Sequence, residues 1–388
     1  MPRYVGAAEA ARQLGVQRAT LYAYVSRGLV ERRVAVDGRT SLYAVDDLEA
    51  LAGRARPRRE AEARPSLDVQ IVTAVTELDE AGPRYRGRDV AELARSVTYE
   101  QVAELLWSGS LPARADWPSP EERDRRLVRK AAAVVGGGGV RAIAAAALAL
   151  GQRHGGDDPR VAARRLLTAL PDVVAPSVTV ASADPRLAAR LAAAWAPGSG
   201  PALASAIKRA LIVLADHELA TSTLAVRLAA SVRAGPYDAI VAGLAVVTGP
   251  LHGAAGSAAH RFLAECEADG VTSALTRRLA NRERLPGFGH KIYAGEDPRL
   301  GPLREAIALL PDPHGRSAIV DEVVAEAGVR MTKRPNVDLG VGALTFVADL
   351  PADLPLFAVA RIAGFVAHHL EESNERPVRY RGIARPAG

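Results

Sequence analysis

From Val90 to the end of the chain, apolar residues recur at helical spacing. The pattern is broken at Pro- and Gly-containing turns: Leu111-Pro112, Gly136–Gly139, Pro159-Arg160 and Pro197–Gly200. The apolar residues are mainly Ala, Leu and Val, since 48% of the 388 residues are hydrophobic but only 4% are aromatic. Side chains this small let helix backbones approach closely, which favours packed helices over aromatic-rich sheets. The expected class is therefore mostly α, in a chain long enough for two or three domains with cores of their own.

Residues 1–52 read as a separate module. Val5–Val16 carries an amphipathic helical pattern ended by Gly15, and Gln17–Val25 begins a second helix that Gly28-Leu29-Val30 closes. Val34–Tyr43 reads as a hairpin turning at Asp37-Gly38, and Asp46–Leu51 as a third helix. This order resembles the winged helix-turn-helix domain of MerR-type regulators and excisionases. The resemblance places Arg18, Thr20 and Tyr22 against DNA and Arg39 of the wing on phosphate. A helical dock for another protein is the alternative. Charge supports a nucleic-acid contact: residues 1–65 hold 12 Arg and 8 acids, a local +4 out of a net +6. Arg-rich codon usage would produce the same surplus. Residues 53–67, charged and bracketed by Pro57 and Pro65, read as a linker. Residues 68–388 then form the main domain. Val69–Leu78 alternates toward Gly82-Pro83, which predicts a short hairpin.

A single cysteine, Cys266, excludes an intramolecular disulfide and a cysteine-cluster metal site. It falls within a helical pattern and reads as a quiet thiol. The first residues carry no apolar signal region, and the longest apolar run, Ala142–Leu150, is too short to span a bilayer. A cytoplasmic location without membrane contact is expected. The Gly136–Gly139 run has no preceding strand and no following Lys-Ser/Thr, so it reads as a turn rather than a phosphate cradle.

The chemistry is concentrated in Thr248-Gly-Pro-Leu-His252-Gly, in Gly287-Phe-Gly-His290 running on to Asp297-Pro-Arg299, and in Arg334-Pro-Asn-Val-Asp338. Two histidines and an aspartate set among Gly and Pro are what enolisation requires: a carboxylate base and donors that hold an oxyanion. Taken singly, each has a structural reading. Asp338 would serve as a helix N-cap, and Asp297-Pro-Arg299 as a turn followed by a salt-bridging Arg. His154, His260, His314, His368 and His369 read as satisfied surface or core histidines.

Together with Tyr85-Arg86-Gly87, Asp216-His217-Glu218, Ala360-Arg361, Ala367-His368 and Arg376-Pro377, these motifs follow the order found in citrate synthases, and residues 68–388 resemble that family. The resemblance implies a large helical domain with a smaller one, roughly residues 254–350, that closes over the substrates of a homodimer. It implies condensation of acetyl-CoA with oxaloacetate and water to citrate and CoA. Asp338 would be the base, His252 the enol-stabilising donor and His290 the group polarising the ketone. His217, Arg299, Arg361 and Arg376 would hold oxaloacetate, Arg376 reaching across the dimer. Lys291, Lys333 and Arg334 would hold CoA, and Arg86 would serve packing. No metal or other cofactor is implied.

The sequence also departs from the family pattern. Gly253-Ala-Ala-Gly256-Ser257 replaces the usual Gly-Gly-Ala-Asn-Glu, Leu219-Ala220-Thr221 lacks the usual Asn, and Ala294 stands where a cation is usual. Val341-Gly342 replaces Ser-Gly, and the Arg376 segment is one residue short. Two alternatives therefore stay open: propionyl-CoA as substrate, giving 2-methylcitrate, and a DNA-binding regulator whose synthase-like domain senses metabolites.

Overall fold

The structure, a computed structural model, describes residues 4–14, 21, 25, 30–35, 40–48, 70–79, 81–178, 180, 182–290, 292–293 and 295–380, without the side chain of Gln13. The chain divides into two compact units, Met1–Ile71 and Val72–Gly388.

In the first unit, β1 (Tyr4–Gly6) leads into helix α1 (Ala7–Leu14), and β2 (Arg32–Val34) and β3 (Ser41–Ala44) complete an antiparallel sheet in the order β1-β3-β2. Val34 pairs with Ser41, so the expected hairpin is present on either side of its turn. Ala10, Ala11, Leu21, Val30, Tyr43 and Leu48 form the small core. One expectation is corrected: Val5 lies in a strand, because its backbone pairs with Tyr43 rather than continuing the helix back from Ala7. Arg18, Thr20, Tyr22, Arg39, the Asp37-Gly38 turn and the linker lie outside the described residues.

The second unit opens with a meander, β4 (Thr76–Asp79), β5 (Gly82–Tyr85) and β6 (Arg88–Asp89). The predicted hairpin begins only at Thr76, where a partner strand exists, and β6 was not expected. The remaining elements are helices: α2 (Val90–Ser96), α3 (Tyr99–Ser108), α4 (Glu122–Val134), α5 (Val140–His154), α6 (Pro159–Val174), α7 (Leu187–Trp195), α8 (Pro201–Leu214), α9 (Thr221–Ser231) and α10 (Pro236–Val247). They continue with α11 (Ala255–Asp269), α12 (Val271–Ala280), α13 (Leu300–Ile307), α14 (Arg316–Arg330), α15 (Val337–Val347) and α16 (Leu356–Ser373).

Local chemistry sets the boundaries. Thr98 and Gln101 form a capping box on α3, and Gly109 ends that helix in the left-handed region. Pro159, expected as a break, instead starts α6 in its first turn, where a missing N–H costs nothing and Asp158 supplies the cap. Helix α16 is apolar on nearly every face and buried almost throughout, with α3, α6, α8, α9 and α10 packed around it. Its Gly364 lies so close to the end of α8 that an added Cβ would sit 2.4 Å from Asp216 Oδ1. Helices α11, α12, α14 and α15 pack on one another, and α13 joins α15 to α8. Among the described residues no helix is long and apolar enough to cross a membrane.

Candidate active site

Asp338 stands in the first turn of α15. The N-cap is Asn336, whose Oδ1 accepts the N–H groups of Asp338 (3.0 Å) and Leu339 (3.4 Å), so the aspartate side chain is not used as a cap. Its carboxylate is left for other work. Burial raises its pKa above the usual carboxylate value, an effect that Arg299 opposes, Asp297 reinforces and Arg361 opposes. The residue keeps partial exposure because it lines a narrow open pocket with His252, Gly253, Gly256, Val341 and Phe357.

His252 lies in the loop between α10 and α11. Gly253 follows it with its backbone against Val247, where a Cβ would fall 2.2 Å from the carbonyl oxygen, so only glycine permits this path. His252 Nε2 lies 2.7 Å from Ser222 Oγ, and the ring meets Phe357 edge-on at 5.7 Å. The Arg361 guanidinium lies over the other side chain of that contact, 4.7 Å from the Phe357 ring centroid. Burial first, then Arg361, lowers the His252 pKa and keeps the ring neutral.

The loop carrying His290 is clamped to the start of α15. Gly289 N–H donates to the Arg334 carbonyl (2.8 Å), Asn336 N–H to the Gly287 carbonyl (2.9 Å) and Asn336 Nδ2 to the Gly289 carbonyl (2.8 Å). Gly287 and Gly289 both have positive φ, which allows the backbones to approach. His290 Nδ1 accepts the N–H groups of Ile292 (3.1 Å) and Tyr293 (3.3 Å), and the ring stacks on Tyr293 at 4.6 Å. With Nδ1 accepting, the neutral ring carries its proton on Nε2. That atom faces Arg299 Nη2 at 3.3 Å, so two N–H donors converge where an acceptor oxygen would bridge them. Burial, then Arg299, lowers the His290 pKa.

Asp297 ties these parts together. Its Oδ1 accepts the N–H (3.0 Å) and Nε (3.0 Å) of Arg299, and its Oδ2 accepts Arg299 Nη2 (2.7 Å) and the Val337 N–H (3.1 Å) at the head of α15. One carboxylate thus orients a cation and anchors the helix that carries Asp338. Arg299 and Arg361 are 4% and 2% exposed. Nε and Nη1 of Arg361 have no protein partner among the described residues, so this cation is held unsatisfied beside the pocket.

His217 follows Asp216 at the end of α8. Its ring meets His290 edge-on at 5.5 Å, and its Nδ1 is buried without a described partner. Burial, then Arg299, Arg361 and His290, push its pKa down to about 3. Asp216 is held from behind by Thr76 Oγ1 (2.6 Å) and His368 Nε2 (3.3 Å). Burial opposes its ionisation, but the His368 ring, the Arg361 guanidinium and the Thr76 hydroxyl hold it down to about 2.

A family profile described as "Citrate synthase, C-terminal domain" matches residues 68–387 of this chain. The chain belongs to the citrate synthase family. It is 30% identical over 324 residues to a citrate synthase of Synechocystis sp., covering 74% of this chain and 81% of the relative. It is 27% identical to a 2-methylcitrate synthase of Mycobacterium tuberculosis, covering 74% and 80%. The fold is similar to the crystal structure of citrate synthase from Pyrobaculum aerophilum, with a TM-score of 0.69 at 25% identity over 82% of this chain and 90% of that one. At 23% identity and a TM-score of 0.66, a Thermoplasma acidophilum citrate synthase in ternary complex with carboxymethyl coenzyme A and oxaloacetate shares the fold, over 83% of this chain and 95% of that one. The protein is a condensing enzyme of the citrate synthase type.

Within this citrate synthase-type site the structure brings together His217, His252, His290, Arg299, Asp338 and Arg361 through the contacts above. Arg376 is exposed beyond α16 and lies outside the pocket of its own chain. Lys333 and Arg334 are exposed next to the His290 loop, the Lys333 stem packing on Gly289; Lys291 lies outside the described residues. Arg86 packs, donating to the Leu106 carbonyl (2.9 Å) and to Glu371 (3.3 Å). Cys266 is buried in α11.

Ser222 went unassigned in the sequence; Asp297 read as a turn before a salt-bridging Arg and His368 as a satisfied histidine, and both do make those contacts. The signal for Ser222 was the Thr221-Ser222-Thr223 cluster, three hydroxyls opening an otherwise Ala- and Leu-rich helix just after His217. A hydroxyl donating into Nε2 would leave the His252 proton on Nδ1, and one accepting from it would leave the proton on Nε2. Ser222→Ala is expected to lower kcat about 2- to 12-fold, the equivalent of roughly 0.5–1.5 kcal/mol of lost support for the His252 ring, with a stability loss of about the same size. Steady-state kinetics alongside a melting curve checks this.

Proposed function

We propose that this protein condenses acetyl-CoA with oxaloacetate and water, yielding citrate and CoA. The observation that carries the reading is one pocket lined by a carboxylate of raised pKa and a neutral histidine, with two buried guanidinium groups beside it. Asp338 takes a proton from the thioester methyl group, and His252 donates from Nδ1 to the thioester oxygen as the enol forms. The nucleophilic carbon attacks the oxaloacetate ketone, whose oxygen gathers charge between His290 Nε2–H and Arg299 Nη2. Water then cleaves the citryl thioester and frees the thiol. Arg299 and Arg361 supply the fork geometry that carboxylates accept and that an ammonium does not. No metal or redox cofactor has a part in this reading.

Acyl choice rests on one methylene, worth only about 1–3 kcal/mol in an apolar pocket, so propionyl-CoA is the competing substrate. Lys333 and Arg334, beside the substrate loop, and Lys291 are the CoA-phosphate contacts in this proposal; a second copy of the chain would bring Arg376 to the pocket, in a cytoplasmic homodimer. Mixing full-length protein with oxaloacetate and either acyl-CoA, and following free thiol, tests the reaction. Higher kcat/KM with propionyl-CoA would replace citrate by 2-methylcitrate as product; absence of turnover with both would overturn the reading.

The pH profile offers a separate check. Asp338 works as its anion and its pKa is raised, so kcat/KM falls on acidification at a pH above the ordinary Asp value of about 3.9. His217, His252 and His290 have lowered pKa values and stay neutral above about 6.5, so no imidazole limb follows at higher pH. A profile flat down to about pH 4 would contradict the assignment of the base.

For the Met1–Ile71 unit we propose DNA binding. Arg32 and Arg33 are exposed on strand β2, Arg33 held by Glu31 at 2.8 Å and lying over Tyr4 at 5.0 Å, and the charge surplus lies in this part of the chain. Specific binding that weakens steeply with salt and responds to oxaloacetate or acyl-CoA would support a regulatory role; sequence-blind, weak affinity would reject it.

A further inference from the structure

A second cavity, of about 210 Å³, opens away from the catalytic pocket between the first turns of α3 and α7 and one face of α8. Thr98, Glu100, Asp184, Arg186, Ser205 and Lys208 supply its polar lining. The lysine is the unusual group. The whole chain has four lysines, Lys130, Lys208, Lys291 and Lys333, against 46 arginines. Arginine, the usual cation of this sequence, never deprotonates in a protein, whereas a lysine is an amine that does.

Among the described lysines, Lys130 and Lys333 are exposed and Lys208 is half-buried. Among the described residues, Nζ of Lys208 reaches only the backbone carbonyl of Arg95, at 3.5 Å. The neighbouring acids are engaged elsewhere. Asp184 is paired with Arg186, Glu100 accepts the Leu187 N–H at 2.7 Å, and Glu305 is paired with Arg95 (2.7 Å) and Arg209 (2.8 Å). Burial, then Arg209 and Arg186, push the Lys208 pKa down to about 8. At pH 7 roughly a tenth of the amine is then unprotonated, some two orders of magnitude more than for an ordinary lysine.

We infer that Lys208 is a covalent modification site, an amine in its own pocket that takes an acyl group from thioesters. The neutral Nζ attacks the thioester carbonyl, the C–N bond forms and the C–S bond breaks. The departing thiolate takes up the proton that the nitrogen releases, leaving an amide and a free thiol. The amide removes a partly desolvated charge that Arg209 and Arg186 disfavour, and still offers one N–H to the Arg95 carbonyl. The inference draws on the proposed function only for the presence of acyl-CoA near this protein; the acylation uses none of the catalytic residues.

The test incubates full-length protein with acetyl-CoA alone, without oxaloacetate, at several pH values and maps acetylated peptides by mass spectrometry. At pH 7.4 Lys208 should be labelled at least tenfold faster than Lys130 or Lys333, the rate rising through pH 8. Lys208→Arg should abolish that label while condensation continues. Asp338→Asn should lose condensation and keep the label, so the two readings fail separately. Labelling of Lys208 no faster than that of the exposed lysines would overturn the inference. A small succinimidyl acetate ester run in parallel separates reactivity from access: selective labelling by the ester but not by acetyl-CoA would overturn the thioester as donor.

Discussion

Asp338→Asn should lower kcat by roughly 10²- to 10⁴-fold, the usual contribution of a positioned general base, while oxaloacetate still binds. The substitution keeps the side-chain shape and removes only the ability to accept a proton. The start of α15 does not depend on that carboxylate, because Asn336 makes the cap and Asp297 holds the Val337 N–H. Losing an acid from the first turn costs about 0.3–1 kcal/mol of helix-dipole interaction, too little to unfold a helix packed on α11 and α13. Stopped-flow or steady-state thiol release, with binding of oxaloacetate measured separately, reads both quantities. Unchanged kcat in this variant would remove Asp338 from the chemistry.

The largest effect on stability is expected at Arg227, which is fully buried. Its Nε and Nη2 donate to His368 Nδ1 (3.0 and 2.9 Å), its Nη1 donates to Glu372 (3.0 Å), and its Nη2 also pairs with Glu371. Glu372 in turn accepts Arg379 Nε (2.7 Å) and the Tyr380 hydroxyl (2.9 Å). Two guanidinium donors into Nδ1 place the His368 proton on Nε2, the atom that faces Asp216. The network therefore runs from the C-terminal segment after α16 to the residue before His217. Arg227→Met removes one partner from a buried ionic cluster and should cost about 3–5 kcal/mol in urea or thermal unfolding. The value should fall toward the lower end, since Arg86 and Arg379 remain to pair with Glu371 and Glu372. A loss below about 1 kcal/mol, the scale of an exposed ion pair, would show that the cluster is structurally idle.

The helical architecture was readable because it is local: an Ala- and Leu-rich 3.6-residue pattern punctuated by Pro and Gly marks helices and several of the breaks between them. The catalytic motifs were readable for a related reason. Gly287-Phe-Gly-His290 and Pro335-Asn-Val-Asp338 each carry an ionisable group amid residues that only an unusual backbone requires, and the clamp between the two loops shows why those residues are there. Pairings across long stretches of chain left no such trace. Arg227 meets His368 across 141 residues, and nothing in the local pattern of either helix points to the other. His368 read only as a satisfied surface or core histidine, which it is, without a hint of which residues satisfy it. Val5 was misplaced for the same reason, since its strand exists only by pairing with a segment near residue 43. The departures after His252 and His217 thin out side-chain donors there, yet Ser222 still reaches His252.

The account stands on Asp338 removing a carbon-bound proton next to a thioester while His252 holds the resulting enol. Exchange of the acetyl-CoA methyl hydrogens with deuterated water, followed by NMR with a non-ketone dicarboxylate such as malate in the oxaloacetate position, observes that step without carbon–carbon bond formation. Native protein should wash deuterium into the methyl group, and Asp338→Asn should not. Exchange at the native rate in that variant, or none in a native protein that still releases thiol with oxaloacetate, would contradict it.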